Sequence, residues 1–217
     1  MHGESVASVI LSASIATRVD QAYVSNVIDD DAAQWKWTVH GRRTVYDSPW
    51  VRLELADVEP PDGSRFEHHV VHLSRVAIAL IVDHYERILM LWRYRFAVDR
   101  FGYELLGGIV EPGEDPVQAA AREAEEESGW RPVGPPEHLT RFEPMPGMIN
   151  GPVDVYLWRA AEKVGEPTDR EEAGRVEWVD AGGILSLAAR GELLGSGTLV
   201  ALLYYLNRSR SIPSKKK

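Results

Sequence analysis

Glu126 lies three residues and Glu127 four residues after Glu123, so on a helix all three carboxylates crowd one face of about one turn. Like charges at that spacing repel, and on an arbitrary Glu-rich helix they would mark a solvated acidic face. Two features favour a metal site instead. Only Arg122 is present on this helix to compensate the charge, and the cluster follows closely on the bend Leu106-Gly107-Gly108, where backbone without side chains allows close approach. A concentrated set of carboxylate oxygens with no sulfur or imidazole beside it suits hard cations, Mg2+ or Mn2+. Between Glu111 and Glu127 seven acidic residues face one arginine, a net −6 out of −9 for the whole chain.

The element that must carry these groups has clear start and stop signals. Asp115 suits the N-cap, Pro116 the first helical position where its missing N–H costs nothing, Gln118 the third position of a capping box, and Gly129 the left-handed position after the last turn. These predict a helix over Pro116–Ser128. Upstream, residues 51–59 and 64–73 alternate or run β-branched around the turn Pro60-Pro61-Asp62-Gly63 and predict a hairpin. Residues 76–82 and 88–94 predict a second strand pair around a polar turn at 83–86, and 103–106 a short strand running into the glycines. Downstream, strands are expected near 139–143, 153–161 and 175–179, then apolar-striped helices near 184–190 and 198–207.

Composition bounds the rest. The 217 residues suit one domain with its own core, and the absence of cysteine excludes disulfides, thiolate nucleophiles and Cys-ligated metals. A net charge of −9 argues against binding nucleic acid or an anionic membrane, which rely on Lys and Arg. No apolar run reaches a membrane span, and residues 6–15 are short, carry serines and follow Glu4 instead of a basic stretch, so a cytoplasmic location is expected. The expected organisation is a loosely ordered extension over 1–34, a domain over 35–207 with an N-terminal strand region at 35–73, and a basic, disordered tail over 208–217. His68 and His69 fall on opposite sides of a strand, so they read as ordinary strand histidines, not as a metal pair. There is no G-x-S-x-G elbow for covalent hydrolysis.

From Gly108 the chain reads GIVEPGEDPVQAAAREAEEESGW, which resembles the Nudix box at every fixed position: Gly108, Glu114, Arg122, Glu123, Glu126, Glu127 and Gly129. Ala124 is small for the first apolar position of the box, and Trp130 is bulkier than the usual closing aliphatic residue. The resemblance implies a Nudix-type α/β/α sandwich with a mixed β-sheet and a metal-dependent pyrophosphohydrolase. Glu123, Glu126, Glu127 and the Gly107 carbonyl would be the metal ligands, and Arg122 would pair with Glu114 to orient the loop on the helix.

Further stretches are similar to the ADP-ribose pyrophosphatase branch of that family: 58–63, 66–71, 89–95 (LMLWRYR) and 103–108 (YELLGG), the last containing Glu104. Arg93 stands where the branch has Gln, Leu106 where it has Pro, and Gly107 where it has Ala. Pro146, sixteen residues past Trp130, matches a proline of the branch. The implied substrate is ADP-ribose or a related nucleoside diphosphate sugar, with Trp92, Arg93, Tyr94 and Arg95 as base or phosphate contacts. A late-loop carboxylate would serve as base, Glu172 first and Glu171 second, with Asp169 in the same loop; a plain solvated acidic loop is the competing reading. The resemblance also implies a homodimer in which N-terminal strands, here the aromatic-rich 35–50, are exchanged between subunits. A monomer, other nucleoside diphosphate derivatives, NADH or nucleoside triphosphates as substrates, and a nucleotide-sugar sensor without turnover remain as alternatives.

Overall fold

The computed structural model describes residues 30–168 and 174–211. Expectations for 1–29, for the tail from 212 onward and for Asp169, Glu171 and Glu172 lie outside the described residues.

Among the described residues, thirteen strands form four sheets, joined by three α-helices. β4 (Val76–Ile81) is the strand about which the fold is organised. It pairs antiparallel with β7 (Leu106–Ile109) and parallel with β11 (Val153–Trp158), which pairs antiparallel with β9 (Glu137–Phe142), so the sheet is mixed. A three-stranded sheet sets β5 (Arg87–Arg95) between β6 (Arg100–Glu104) and β13 (Arg175–Asp180).

The near-continuous apolar run of β4 follows from burial on both faces. Ala77, Ala79 and Ile81 join Leu89, Leu91 and Leu106 against Ala119, Ala120 and Ala124 of α1 (Pro116–Ser128). Their neighbours Ile78, Leu80 and Val82 join Ile88 and Met90 against α2 (Ile184–Ala189) and α3 (Ser196–Ser211), through Ile184, Leu187, Ala201, Leu202 and Tyr205. Two cores, one per face, make the expected α/β/α sandwich.

Ahead of it, β1 (Thr38–Asp47), β2 (Val51–Glu59) and β3 (Phe66–Leu73) form an antiparallel meander, to which β10 (Ile149–Asn150) adds a parallel edge. The predicted first hairpin is therefore β2–β3. β1 is exposed along its whole length. A small ribbon of β8 (Trp130–Pro132) and β12 (Ala161–Lys163) follows α1.

Several expectations need correction. The second strand pair is not a hairpin: β4 and β5 share only a bridge at Val82–Ile88, because both edges of β4 are taken by β7 and β11. The strand expected over 103–106 is two strands broken at Leu105, whose N–H donates to the Thr198 hydroxyl at 3.0 Å instead of to a ladder, passing the chain from one sheet to the other. The strand expected over 153–161 ends at Trp158, and the chain then turns to pair with β8. α3 continues to Ser211, past the start of the predicted disordered tail, and Arg208 ion-pairs with Glu137. Asp30–Trp35, mostly within the segment expected to be loose, is 3-10 helical.

Candidate active site

The chain builds α1 as its local chemistry dictates. The Asp115 carboxylate accepts from the Val117 N–H at 3.0 Å, Pro116 opens the helix, and Gly129 closes it at φ 70° with its N–H on the Glu125 carbonyl. Alanines on the buried side let the helix lie close on β4 and β7. Ala124, small for its place in the box, is wholly buried against the sheet.

Close approach is carried furthest at the two glycines of β7. A Cβ on Gly108 would lie 2.4–2.6 Å from the Glu123 carboxylate atoms. At Gly107, with φ +153°, it would lie 2.4 Å from the Ala77 carbonyl oxygen. Backbone thus passes directly over the glutamate face of α1. The Gly107 N–H donates to Glu127 Oε2 at 2.8 Å, which ties the bend to the end of the helix.

Arg122 organises the outer carboxylates. Its Nε donates to Glu114 Oε1 at 3.0 Å, its Nη1 to Glu123 Oε1 at 2.8 Å and Glu126 Oε2 at 3.0 Å, and its Nη2 to the Ile109 carbonyl at 3.2 Å. Glu114 also accepts from the Glu111 N–H at 3.0 Å. The Arg122 hydrogen bonds hold the Glu114 carboxyl below the usual carboxylate range, and the guanidinium is correspondingly raised, first by Glu114 and also by Glu123 and Glu126. One guanidinium therefore pins the loop 111–114, the Gly108 strand and two glutamates to each other.

Glu127 faces inward, with a side chain only 2% exposed, and its Oε1 accepts from Arg93 Nη1 at 2.7 Å. Arg93 is itself buried and donates from Nε to Glu104 Oε2 at 2.7 Å, while Arg95 donates to both Glu104 oxygens at 2.8–3.2 Å. Burial would raise the Glu104 carboxyl, but the hydrogen bonds and charges of Arg95 and Arg93 outweigh it and hold it low.

Strand alternation divides the other expected substrate contacts. Arg93 and Arg95 share the α1-side face of β5 with Glu104, whereas Trp92 and Tyr94 point the other way into an aromatic group with Phe101 and Tyr103, ring centroids 4.7–6.3 Å apart. Pro146 lies on an exposed turn tied to β3, where His68 meets the Gly147 carbonyl at 2.7 Å and the Val71 N–H donates to Met148. The structure thus unites Gly107, Glu114, Arg122, Glu123, Glu126, Glu127, Arg93, Arg95 and Glu104. Trp92, Tyr94 and Pro146 sit on other surfaces.

The described chain stops at Thr168 and resumes at Gly174, both beside this group. The Thr168 N–H donates to the Glu126 carbonyl at 2.8 Å, and a Cβ on Gly174 would lie 2.9 Å from the Trp92 carbonyl oxygen and 3.0 Å from the Arg93 Cβ. A cavity of about 480 Å3 opens here, lined by Arg122, Glu125, Glu126, Gly165 and Thr168. That volume suits a small organic ligand.

The Glu123, Glu126 and Glu127 carboxylates and the Gly107 carbonyl offer only oxygen donors, the chemistry that suits Mg2+ or Mn2+. Among the described residues no three acidic or imidazole groups already converge as one ligand shell. Arginines hold each of the three glutamates.

What sequence reasoning missed is the buried pairing of Arg93 with Glu127 and Glu104, and a further buried carboxylate away from them, Asp154, held by Arg75 at 2.6 Å and His138 at 3.1 Å. A sequence signal existed for the first. Arg93 and Glu104 both occupy strand positions in step with core residues, where an unpaired charge is not tolerated.

Comparison with known proteins supplies the family. Residues 71–193 match the NUDIX domain, and residues 37–71 match the nucleoside diphosphate sugar hydrolase N-terminal domain. The chain is similar to a CMP-5'-(N-acetyl-N-hydroxy-3-aminopropyl)phosphonate hydrolase of Streptomyces rubellomurinus, 42% identical over 171 residues, 79% of this chain and 82% of that protein. It is also similar to the ADP-ribose pyrophosphatase of Bacillus subtilis, 27% identical over 169 residues, 75% of this chain and 89% of that one. The crystal structure of an ADP compounds hydrolase shares the fold, with a TM-score of 0.69 at 18% identity over 81% of this chain and 95% of the other. Metal-ion dependence is general to Nudix hydrolases, and the arginine-bound glutamates on α1 are the acidic residues of that family's signature. With the domain match running from β3 into the segment before α3, the chain belongs to the Nudix hydrolases.

Proposed function

We propose that this enzyme hydrolyses the phosphoanhydride joining a nucleoside 5'-phosphate to a second phosphorus, with ADP-ribose or a related nucleoside diphosphate sugar as substrate. Water adds to one phosphorus, the bridging P–O bond breaks, and a nucleoside monophosphate and a sugar phosphate result. The observation that carries this reading is the seating of Glu123 and Glu127 against the Gly107-Gly108 backbone, with Arg122 fixing Glu123 and Glu126.

Glu123, Glu126, Glu127 and the Gly107 carbonyl would hold Mg2+, with Mn2+ as a substitute. When bound, the metal neutralises diphosphate charge and lowers the pKa of attacking water. The chain's own residues do the rest. Arg122 keeps the carboxylates in register, and Arg95, paired with Glu104 and with its side chain 38% exposed, would reach a phosphate oxygen from that pair. Glu172, with Glu171 second, would accept the proton of the attacking water, which the anchoring of 168 and 174 beside the site favours.

The same chemistry serves a second substrate. The 42%-identical relative is named for a CMP-linked phosphonate, so a cytidine nucleotide joined to a phosphonate is the alternative with a specific observation behind it. We place the enzyme in the cytoplasm as a homodimer. Val45 and Tyr46 on β1, Trp35 in the 3-10 turn before it and Trp50 in the bend after it are each more than half exposed, apolar groups suited to burial by a second copy of the chain.

A substrate panel with Mg2+ tests the reading: ADP-ribose, GDP-mannose, NADH, a CMP-linked phosphonate and dNTPs. At least one of ADP-ribose, GDP-mannose and the CMP-linked phosphonate should exceed every dNTP in kcat/KM by about 100-fold, a difference of about 2.7 kcal/mol in transition-state stabilisation. Activity confined to triphosphates would overturn the substrate class. Tight ADP-ribose binding without metal-dependent phosphomonoester release would overturn the catalytic reading in favour of a sensor.

A further inference from the structure

Arg93 has a place in the cradle that its chemistry makes consequential. Its Nη1 takes Glu127 Oε1 at 2.7 Å while the Gly107 N–H takes Oε2 at 2.8 Å, so both oxygens of this carboxylate are engaged by the protein. The Arg93 side chain is 3% and the Glu127 side chain 2% exposed, which leaves water little part in screening the pair. A guanidinium does not lose its charge in a protein. A divalent cation approaching Glu127 therefore meets a fixed positive charge already bonded to that carboxylate. Glu123 and Glu126, by contrast, share the more accessible Arg122, itself 30% exposed.

Glu104 sets the strength of this hold. It competes with Glu127 for Arg93 through the 2.7 Å bond to Nε, and it is also served by Arg95. Two arginines and two carboxylates thus balance in a chain running Arg95, Glu104, Arg93, Glu127 to the Gly107 amide.

We propose that Arg93 is a resident cation of the metal cradle, a positioning residue that neutralises Glu127 and sets how tightly, and how many, divalent ions bind, favouring the Glu123–Glu126 side. This rests on the reading of α1 as the metal helix.

The test is Mn2+ titration of the full chain without substrate, following free Mn2+ by electron paramagnetic resonance, in wild type, R93Q, E104Q and E123Q. With the charge removed, R93Q should bind Mn2+ about tenfold more tightly or take up an additional ion. It should also melt lower than wild type in chelator and gain more from Mn2+, since Glu127 is left buried without its cation. A merely structural role would weaken metal binding, not strengthen it. If R93Q does not fold, E104Q decides: Arg93 then serves Glu127 alone, and Mn2+ affinity should fall severalfold. Unchanged or weaker binding in a folded R93Q, or unchanged or tighter binding in E104Q, overturns the proposal. E123Q separates the two levels. If it binds Mn2+ as wild type does, the metal reading of the helix fails and this proposal with it. If E123Q loses the ion while R93Q matches wild type, only the role of Arg93 fails.

Discussion

At the scale of single residues, the fold gathers formal charges into pairs that each have a job, and removing one member exposes what it did. Glu123 lies under the Gly108 backbone, its carboxylate held by Arg122. E123Q keeps that shape and loses the charge, so turnover should fall by about 100-fold or more with the circular dichroism spectrum unchanged. A loss below tenfold would remove Glu123 from the metal set. Asp154 is a pair without catalytic work. Burial pushes its carboxyl upward, but hydrogen bonds from Arg75 and His138 and the charge of Arg141 outweigh burial and hold it low. A carboxyl lowered in the folded state contributes stability that is complete above its unfolded pKa of about 3.9 and is lost as pH falls through the folded value. D154N should therefore cost about 2 kcal/mol at pH 7 and show a shallower acid decline than wild type below about pH 4. Urea unfolding across pH would reveal it; parallel acid curves would contradict it.

At the scale of elements, α1 is the part most legible in the chain and the part most exposed to single changes. Its Asp115 cap, Pro116 start and Gly129 stop are local signals, and the helix runs where they place it. D115A should lower stability by about 1 kcal/mol. G129A should cost more, about 2–3 kcal/mol, because Gly129 sits at φ 70° and a Cβ there would lie 2.2 Å from the Gly165 carbonyl oxygen. Thermal melts read both, and equal costs would mean that the contact with Gly165 is immaterial. What was not legible depends on partners distant in the chain. The break at Leu105 needs the hydroxyl of Thr198, 93 positions away, and the burial of Arg93 needs Glu127, 34 positions away. The run LMLWRYR shows an arginine in a strand but not which carboxylate meets it, so Arg93 reads as a substrate contact when its guanidinium is committed to the protein. The two-sided burial of β4 shows in its unbroken apolar run, whereas the choice of β7 and β11 over β5 as its neighbours is a property of the whole sheet.

At the scale of the whole molecule, the uneven charge and the uneven surface each carry a consequence. A chain of net −9 with −6 gathered between 111 and 127 repels a diphosphate unless cations intervene. Substrate affinity should therefore drop at least tenfold in chelator, as isothermal titration of wild type with a non-hydrolysable ADP-ribose analogue, with and without Mg2+, would show; equal affinities would mean that metal takes no part in binding. The exposed aromatic side chains in and beside the N-terminal sheet predict a particle of twice 24.3 kDa by light scattering, and a 24.3 kDa monomer at micromolar concentration would contradict the dimer. The central claim is that the α1 glutamates direct metal-dependent cleavage of a phosphoanhydride. The most direct measurement is 31P nuclear magnetic resonance of ADP-ribose incubated with wild type and E123Q, with Mg2+ and with chelator. The account predicts that the diphosphate signals are replaced by two phosphomonoester signals only with wild type and Mg2+. Phosphomonoesters formed at the same rate by E123Q, or in chelator, would contradict it.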